Sequence, residues 1–284
     1  MAKRLSQLPF VAAASLLLLA SCSEPLPWPD SPFHVFPESD PGWRRPTSRD
    51  EAMAAIEGHY AHYDVIAYED ITTRTPMRTL IISYGFTDFE IRDGRLYQTD
   101  CFCHAEQKLS QRGATSVFSD EATQAIEPRE REVELRFADG EWTVFRPASP
   151  TLLGITGDPS QPLSTDPDDP AITDPDGDGN PGVTVRISVG SFFNGEIYIT
   201  RREIFRDYLT LNSNGNLYGH VEDDSEQFVV GASKRVLAQP SNAVQLRDPG
   251  MNPIILVRVS DDLDTCDELM ESRDLLFPPE PEFQ

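Results

Sequence analysis

Residues 133–145 read VELRFADGEWTVF. Val133, Leu135 and Phe137 alternate along one extended run. After Asp139-Gly140 an apolar pattern resumes with Trp142, Val144 and Phe145. Alternation at period two marks a half-buried strand. An Asp-Gly pair supplies positive φ at both central positions of a type I′ turn, whose twist suits a hairpin. Three further stretches repeat the design: FEIRDGRLYQT (89–99) around Asp93-Gly94, VTVRISVGSFFNGEIYIT (183–200) around Asn194-Gly195, and YLTLNSNGNLYGHV (208–221) around Asn214-Gly215. Four such turns between alternating runs predict antiparallel sheet.

More strands are expected at 59–68, 79–84, 227–231 and 254–259. Helix signals are scarce. Ser48 and Glu51 have capping-box spacing ahead of Ala52, Ala55 and Ile56, and short helices are expected after Ser119 and Ser260. The predicted fold is therefore mainly β: an antiparallel barrel or a sandwich of about ten hairpin-built strands, with two or three short helices. Gly58-His59-Tyr60, opening the first strand after a short helix, resembles the G-x-W start of calycin (lipocalin-like) barrels. The resemblance implies a barrel, and a cysteine-bearing C-terminal helix pinned to it.

The N-terminus carries an address. MAKR precedes a short apolar core, and residues 19–22 read Leu-Ala-Ser-Cys. This resembles the lipobox of bacterial lipoprotein precursors. It implies a signal peptide over 1–21 and a lipidated Cys22 bearing acyl chains, palmitate among them. Ser23 rather than aspartate follows, which implies the outer membrane. Residues 22–47 read as a proline-rich tether and 277–284 as a proline-rich tail. Between them, 48–276 is expected to be a single β domain. Its acidic loop 157–181 is also readable as a boundary between two β halves.

The net charge of −23 argues against nucleic acid, whose phosphates need a basic surface. Beyond Cys22 the cysteines are Cys101, Cys103 and Cys266. In an oxidising compartment the expectation is one disulfide, joining Cys266 to Cys103 or to Cys101. A zinc site from these three with His104 is the competing arrangement. CFCH is one residue short of a haem-attachment motif.

The loop 157–181 holds seven aspartates and six prolines and no basic residue. Asp174, Asp176 and Asp178 occupy positions 1, 3 and 5 of D-x-D-x-D-G, with the Asn180 carbonyl at position 7. This resembles the calcium loops of EF-hands, dockerins and thrombospondin repeats. Position 12 is Val185, so missing oxygens must come from elsewhere, with Asp168 and Asp169 the nearest candidates alongside Asp166. Calcium here implies a brace; the competing reading is a solvated acidic linker. No nucleophile elbow, zinc-protease or phosphate-loop motif is present. The expected function is non-enzymatic: an envelope lipoprotein, joined to the membrane by its anchor, that binds a small molecule or protein on a β scaffold. A structural role in the outer membrane comes next, and a hydrolase last.

Overall fold

A computed structural model describes residues 25–29, 42–70, 76–238 and 243–284. Fourteen strands form among them. The first seven are β1 (Gly58–Asp70), β2 (Met77–Arg92), β3 (Arg95–Leu109), β4 (Ala114–Phe118), β5 (Glu130–Ala138), β6 (Glu141–Arg146) and β7 (Thr151–Leu153). The rest are β8 (Val183–Val189), β9 (Phe193–Glu203), β10 (Phe205–Leu211), β11 (Leu217–Asp223), β12 (Glu226–Ala232), β13 (Ala243–Gln245) and β14 (Pro253–Arg258). Three short helices accompany them: α1 (Arg49–Ile56), α2 (Asp120–Gln124) and α3 (Cys266–Leu276).

Eight strands close into an antiparallel barrel. Around its wall they run β1, β2, β3, β5, β6, β10, β11 and β14, in chain order, and β14 returns to pair with β1. Of the two predicted architectures, the barrel is the one that forms. Because neighbouring strands alternate in direction, the short turns β2–β3, β5–β6 and β10–β11 lie at one end. The connections leaving β3, β6 and β11 lie at the other, and they hold every additional strand. β4, β8, β9 and β12 form a side sheet joined to the barrel through β3, and β7 lies along β9. Residues on both sides of the acidic loop contribute barrel strands, so neither side closes a barrel alone.

Two predicted turns form as read. Asp93 and Gly94 have φ of 52° and 71°, and Asp139 and Gly140 have 53° and 83°. Asn194-Gly195 instead lies within β9, where Gly195 faces Ile187. The chain has already reversed at Gly190, with φ of 54°. At Asn214-Gly215 only the glycine is left-handed, φ 81°, within a longer turn closed by Asn212 N–H to Asn216 O at 2.9 Å.

Ser48 caps α1 as expected, accepting from Glu51 N–H at 3.2 Å. Ser119 caps α2. The last helix begins later than the sequence implied: Thr265, not Ser260, caps it, and Ser260 closes a separate turn with Leu263. Thr265 and Glu268 form the reciprocal cap that fixes this start.

Helix α3 and the tail cover the outer face of β1 and β2, where Tyr63, Leu80, Ile82 and Tyr84 pack on Leu269 and Phe277. The 277–284 tail is seated on the barrel. Glu280 accepts from the Tyr84 hydroxyl at 2.7 Å and pairs with Lys108 at 2.7 Å. Trp28 of the tether lies 5.6 Å from Phe283, ring to ring, and Leu26 N–H reaches Ser110 O at 2.9 Å. Phe33 and Phe36 of the tether, and Cys22, lie outside the described residues.

Cys103 and Cys266 form a disulfide, and Cys101 is free and exposed. The bond uses two of the four zinc-site candidates. It joins β3 to α3 across 163 residues. Closing so long a loop restricts the unfolded chain, and losing such a bond typically costs about 2–5 kcal/mol. Cys266→Ser is expected to lower the urea midpoint by that measure. Peptide mapping of the unreduced protein should recover the 103–266 pair with Cys101 alkylated; a 101–266 peptide would contradict the structure.

Candidate functional site in the barrel interior

Alternation along β1 sends Tyr60, His62, Asp64, Ile66 and Tyr68 inward, while Ala61, Tyr63 and Val65 face α3. The interior is layered. At the turn end it is apolar, with Phe89, Leu96, Val144, Leu209 and Leu256 packed beneath Ala52, Met53 and Ile56 of α1. One step further along the same strands, the inward positions turn polar. Leu96 gives way to Gln98 and Asp100, Val133 to Arg131, Val144 to Arg146, and Leu209 to Asp207.

This layer is buried and dense. Arg146 grips Asp207, with Nη2 donating to Oδ1 at 2.6 Å and Nε to the other oxygen. Asp207 is fully buried. Asp100 accepts from Thr87 Oγ1 at 2.8 Å, from Gln98 Nε2 at 2.9 Å and from Arg131 at 3.4 Å. Burial opposes its charge, but Arg146, His62 and Gln98 hold its carboxyl below the ordinary range. Burial works against Arg146 too, yet Asp207 and Asp100 keep it charged. Removing one member of such a group strands an unpaired charge, which is the costly event in buried ion pairs.

His62 joins the layer at both ring nitrogens: Nδ1 lies 2.8 Å from Thr87 Oγ1 and Nε2 lies 2.8 Å from Asp64 Oδ2. Thr87 has one hydroxyl hydrogen, and ionised Asp100 requires it. His62 Nδ1 must therefore donate to Thr87. A second proton sits between Nε2 and Asp64. This set looks like a Thr-His-Asp triad, but His62 donates to Thr87 and the Thr87 proton goes to Asp100, so the imidazole cannot act as the base for this hydroxyl. Thr87 is also fully buried. Burial disfavours the imidazolium, yet Asp64 outweighs it and the His62 pKa is raised. Burial raises the Asp64 pKa as well, against the pull of His62. The other Asp64 oxygen, Oδ1, is buried beside the Ser83 hydroxyl without a hydrogen bond of good geometry.

Above this layer the barrel opens. A chamber of about 70 Å³ is lined by His62, Asp64, Ser83, Phe102, Arg146 and Asp207 from the barrel, and by Ile199, Arg201 and Glu203 from the side sheet. Tyr68, Ile81, Gln107, Ile199 and Arg201 also line a cleft of about 920 Å³ between the barrel mouth and the side sheet. The cleft walls are largely aliphatic: Val185, Ile187, Ile197, Val229 and Leu109. Its floor carries charge. Arg201 stands 3.5 Å from Glu203 and reaches Gln227 at 3.2 Å, and the Tyr68 hydroxyl bonds Asp223.

The acidic loop lies apart from this interior. Its stem is tied by the Ile155–Ile172 bridge and by Gly182 N–H to Thr173 O at 2.6 Å. Oxygens of Asp174, Asp176 and Asp178 come within 4.8 Å of one another. The other predicted ligands are not in this group: Asp169 accepts from Ala171 N–H at 2.9 Å, and Asp168 N–H turns to Asp166. Asn180 N–H donates to Asp178 at 2.8 Å. Asp174 accepts from the amides of Asp178 and Gly179. Asp176 bonds Thr184 N–H with one oxygen and leaves the other buried and unpartnered. Burial and Asp178 raise its pKa.

His59 and His62 face opposite sides, as strand geometry requires; His59 bonds Asp88 at 2.6 Å on the outer face. No protein family, curated protein or solved structure matches the chain.

The His62–Asp64 proton has a consequence for stability. With both folded pKa values raised, the native state binds this proton more tightly than the unfolded chain. The contribution is complete below the ordinary histidine value, about 6.5, and fades as pH rises through the folded value. Urea midpoints followed from about pH 6 to about pH 8.5 are expected to fall for the native sequence and to stay flatter for His62→Gln. Parallel slopes would contradict the assignment.

Proposed function

We propose that this protein is a lipid-anchored, extracytoplasmic, non-enzymatic envelope lipoprotein that takes an amphipathic small molecule into the cleft at the mouth of its barrel. The observation that carries the reading is the cleft itself. It is of about 920 Å³, walled by aliphatic side chains and floored by a few charged ones. Ligand sites characteristically combine a largely apolar wall with a small number of placed polar groups. The lipobox ending in Cys22 supports the anchor, and Ser23 supports the outer membrane as its destination. The disulfide agrees with an oxidising compartment. A non-enzymatic role fits His62, whose two nitrogens are both committed to buried partners. Calcium is assigned to Asp174, Asp176 and Asp178 as a brace for the acidic loop.

The test of anchor and cleft runs in one series. Cys22→Ala is expected to lose acyl label and to leave the membrane fraction. The released protein should bind an apolar fluorescent probe, and Ile199→Trp, which fills the cleft, should exclude it. Probe binding undiminished by Ile199→Trp would place the site elsewhere.

Calcium has its own measurement. Extracellular calcium modules bind with Kd on the order of 10⁻⁴–10⁻³ M. At about 10 mM calcium the native state then gains about 1–3 kcal/mol. The melting temperature should rise with calcium and fall back with chelator. Asp176→Ala with Asp178→Ala should abolish the rise; a melt indifferent to calcium makes the loop a solvated acidic segment.

A further inference from the structure

We propose that the chamber beneath the cleft receives the primary ammonium group of an aliphatic amine, with Asp64 as its principal acceptor and the amine's hydrocarbon body lying in the cleft. The proposal rests on the cleft being a ligand site and names the chemistry of what enters it.

The lining carries three carboxylates and two guanidiniums beside His62. Asp64, Glu203 and Asp207 face Arg146 and Arg201. Asp207 is held by Arg146, and Glu203 has Arg201 at 3.5 Å. Asp64 has His62 at Oδ2 and the Ser83 hydroxyl only in poor geometry, so its Oδ1 lacks a proper donor although the residue is 94 % buried, its exposure being 6 %. Buried polar atoms are nearly always satisfied, so this oxygen calls for an N–H or O–H from whatever occupies the chamber. Arg146 and Arg201 balance Asp207 and Glu203, and the proton shared with His62 balances Asp64, so an entering ammonium takes the place of that shared proton. Burial raises the pKa of both Asp64 and Glu203, with the Asp207 charge adding to the rise at Asp64 and the Asp64 charge to that at Glu203; an added cation relieves these effects.

Other ligand classes fit less well. An anion would find Arg146 held by Asp207 and Arg201 beside Glu203, with Arg201 Nε the one donor left without a hydrogen bond, and would meet three carboxylates around it. A metal ion needs several converging ligands, and among the described residues the one such cluster is Asp174–Asp176–Asp178, away from the chamber. A quaternary ammonium has no N–H for Asp64, whereas a primary ammonium has three. Ile81 and Ile199 line both chamber and cleft, so the two spaces adjoin, and an aliphatic body reaching outward would lie over Val185 and Ile197. The protein's net charge of −23 raises the local concentration of cations around it.

The experiment is calorimetric titration of the purified protein at neutral pH with octylamine, 1-octanol and octanoate. Octylamine is expected to bind at least tenfold more tightly than octanol, with octanoate weakest. Asp64→Asn should cost octylamine about tenfold or more and leave octanol unchanged. Ile199→Trp, which keeps every charged group, should abolish both. Equal binding of amine and alcohol, preference for octanoate, or an Asp64→Asn variant with undiminished amine affinity overturns the head-group assignment while leaving the cleft in place. Failure of all three amphiphiles to bind overturns the cleft as well. The head-group comparison is made on the native sequence, so it decides even if Asp64→Asn fails to fold.

Discussion

A strand has two hydrogen-bonding edges, and β3 divides one of them between two sheets. Along one edge it pairs with β2 for its whole length. Along the other, Leu96–Thr99 pair with β5 and close the barrel, whereas Glu106 and Gln107 pair with β4 and start the side sheet. The chain cannot follow both sheets without a change of direction, and a bulge supplies it. Cys103 is the extra residue, between Phe102 opposite Gly85 and His104 opposite Tyr84. Gly85 is required there: a Cβ would stand 2.2 Å from the Cys101 carbonyl oxygen. The extra residue faces outward and carries the disulfide to α3. The diverging sheets leave between them the cleft, and the chamber opens below it.

The polar layer under that chamber is a cost that an apolar barrel would not bear. Buried ion pairs are often matched or exceeded in stability by well-packed hydrophobic residues. Here the charged groups sit between an apolar plug at the turn end and the mouth. They are cross-linked: Asp100 ties β3 to β2 and β5, and Arg146 ties β6 to β10. Such a layer fixes the register of the wall, since a one-residue slip would turn each charge outward and bring a neighbour in. It also leaves fixed charges beneath a cleft whose aliphatic residues are interspersed with polar ones.

The hairpins could be read because their information is local. Asp93-Gly94 and Asp139-Gly140 each set a turn from two residues. Asn194-Gly195 misled because the same dipeptide fits inside a strand when an earlier glycine, Gly190, has already reversed the chain. The choice between barrel and sandwich was not legible, since it depends on β1 meeting β14, and nothing in either strand names the other. The charged layer left a trace that the sequence reading passed over. Arg146 is in phase with Trp142 and Val144, Asp207 with Leu209 and Leu211, and Asp100 with Leu96. A charge on the apolar phase of a strand marks either the end of the core or a polar interior, and only closure distinguishes them. The acidic triplet was legible by spacing alone, whereas the place of Asp168 and Asp169 was not, because each is held in its own local turn.

The circular order of the wall also sets a timetable. A chain emerging from its N-terminus builds β1 early and then carries one edge open until residues 243–245 and 253–258 arrive. Cys103 likewise waits for Cys266. Non-local pairing of this kind is slow, and an open strand edge is a template for association with other chains. The last 32 residues, 253 to 284, therefore decide whether everything before them becomes a sealed barrel or an open sheet. A chain cut short ahead of Pro253 would look, to any protease or chaperone, like unfinished protein.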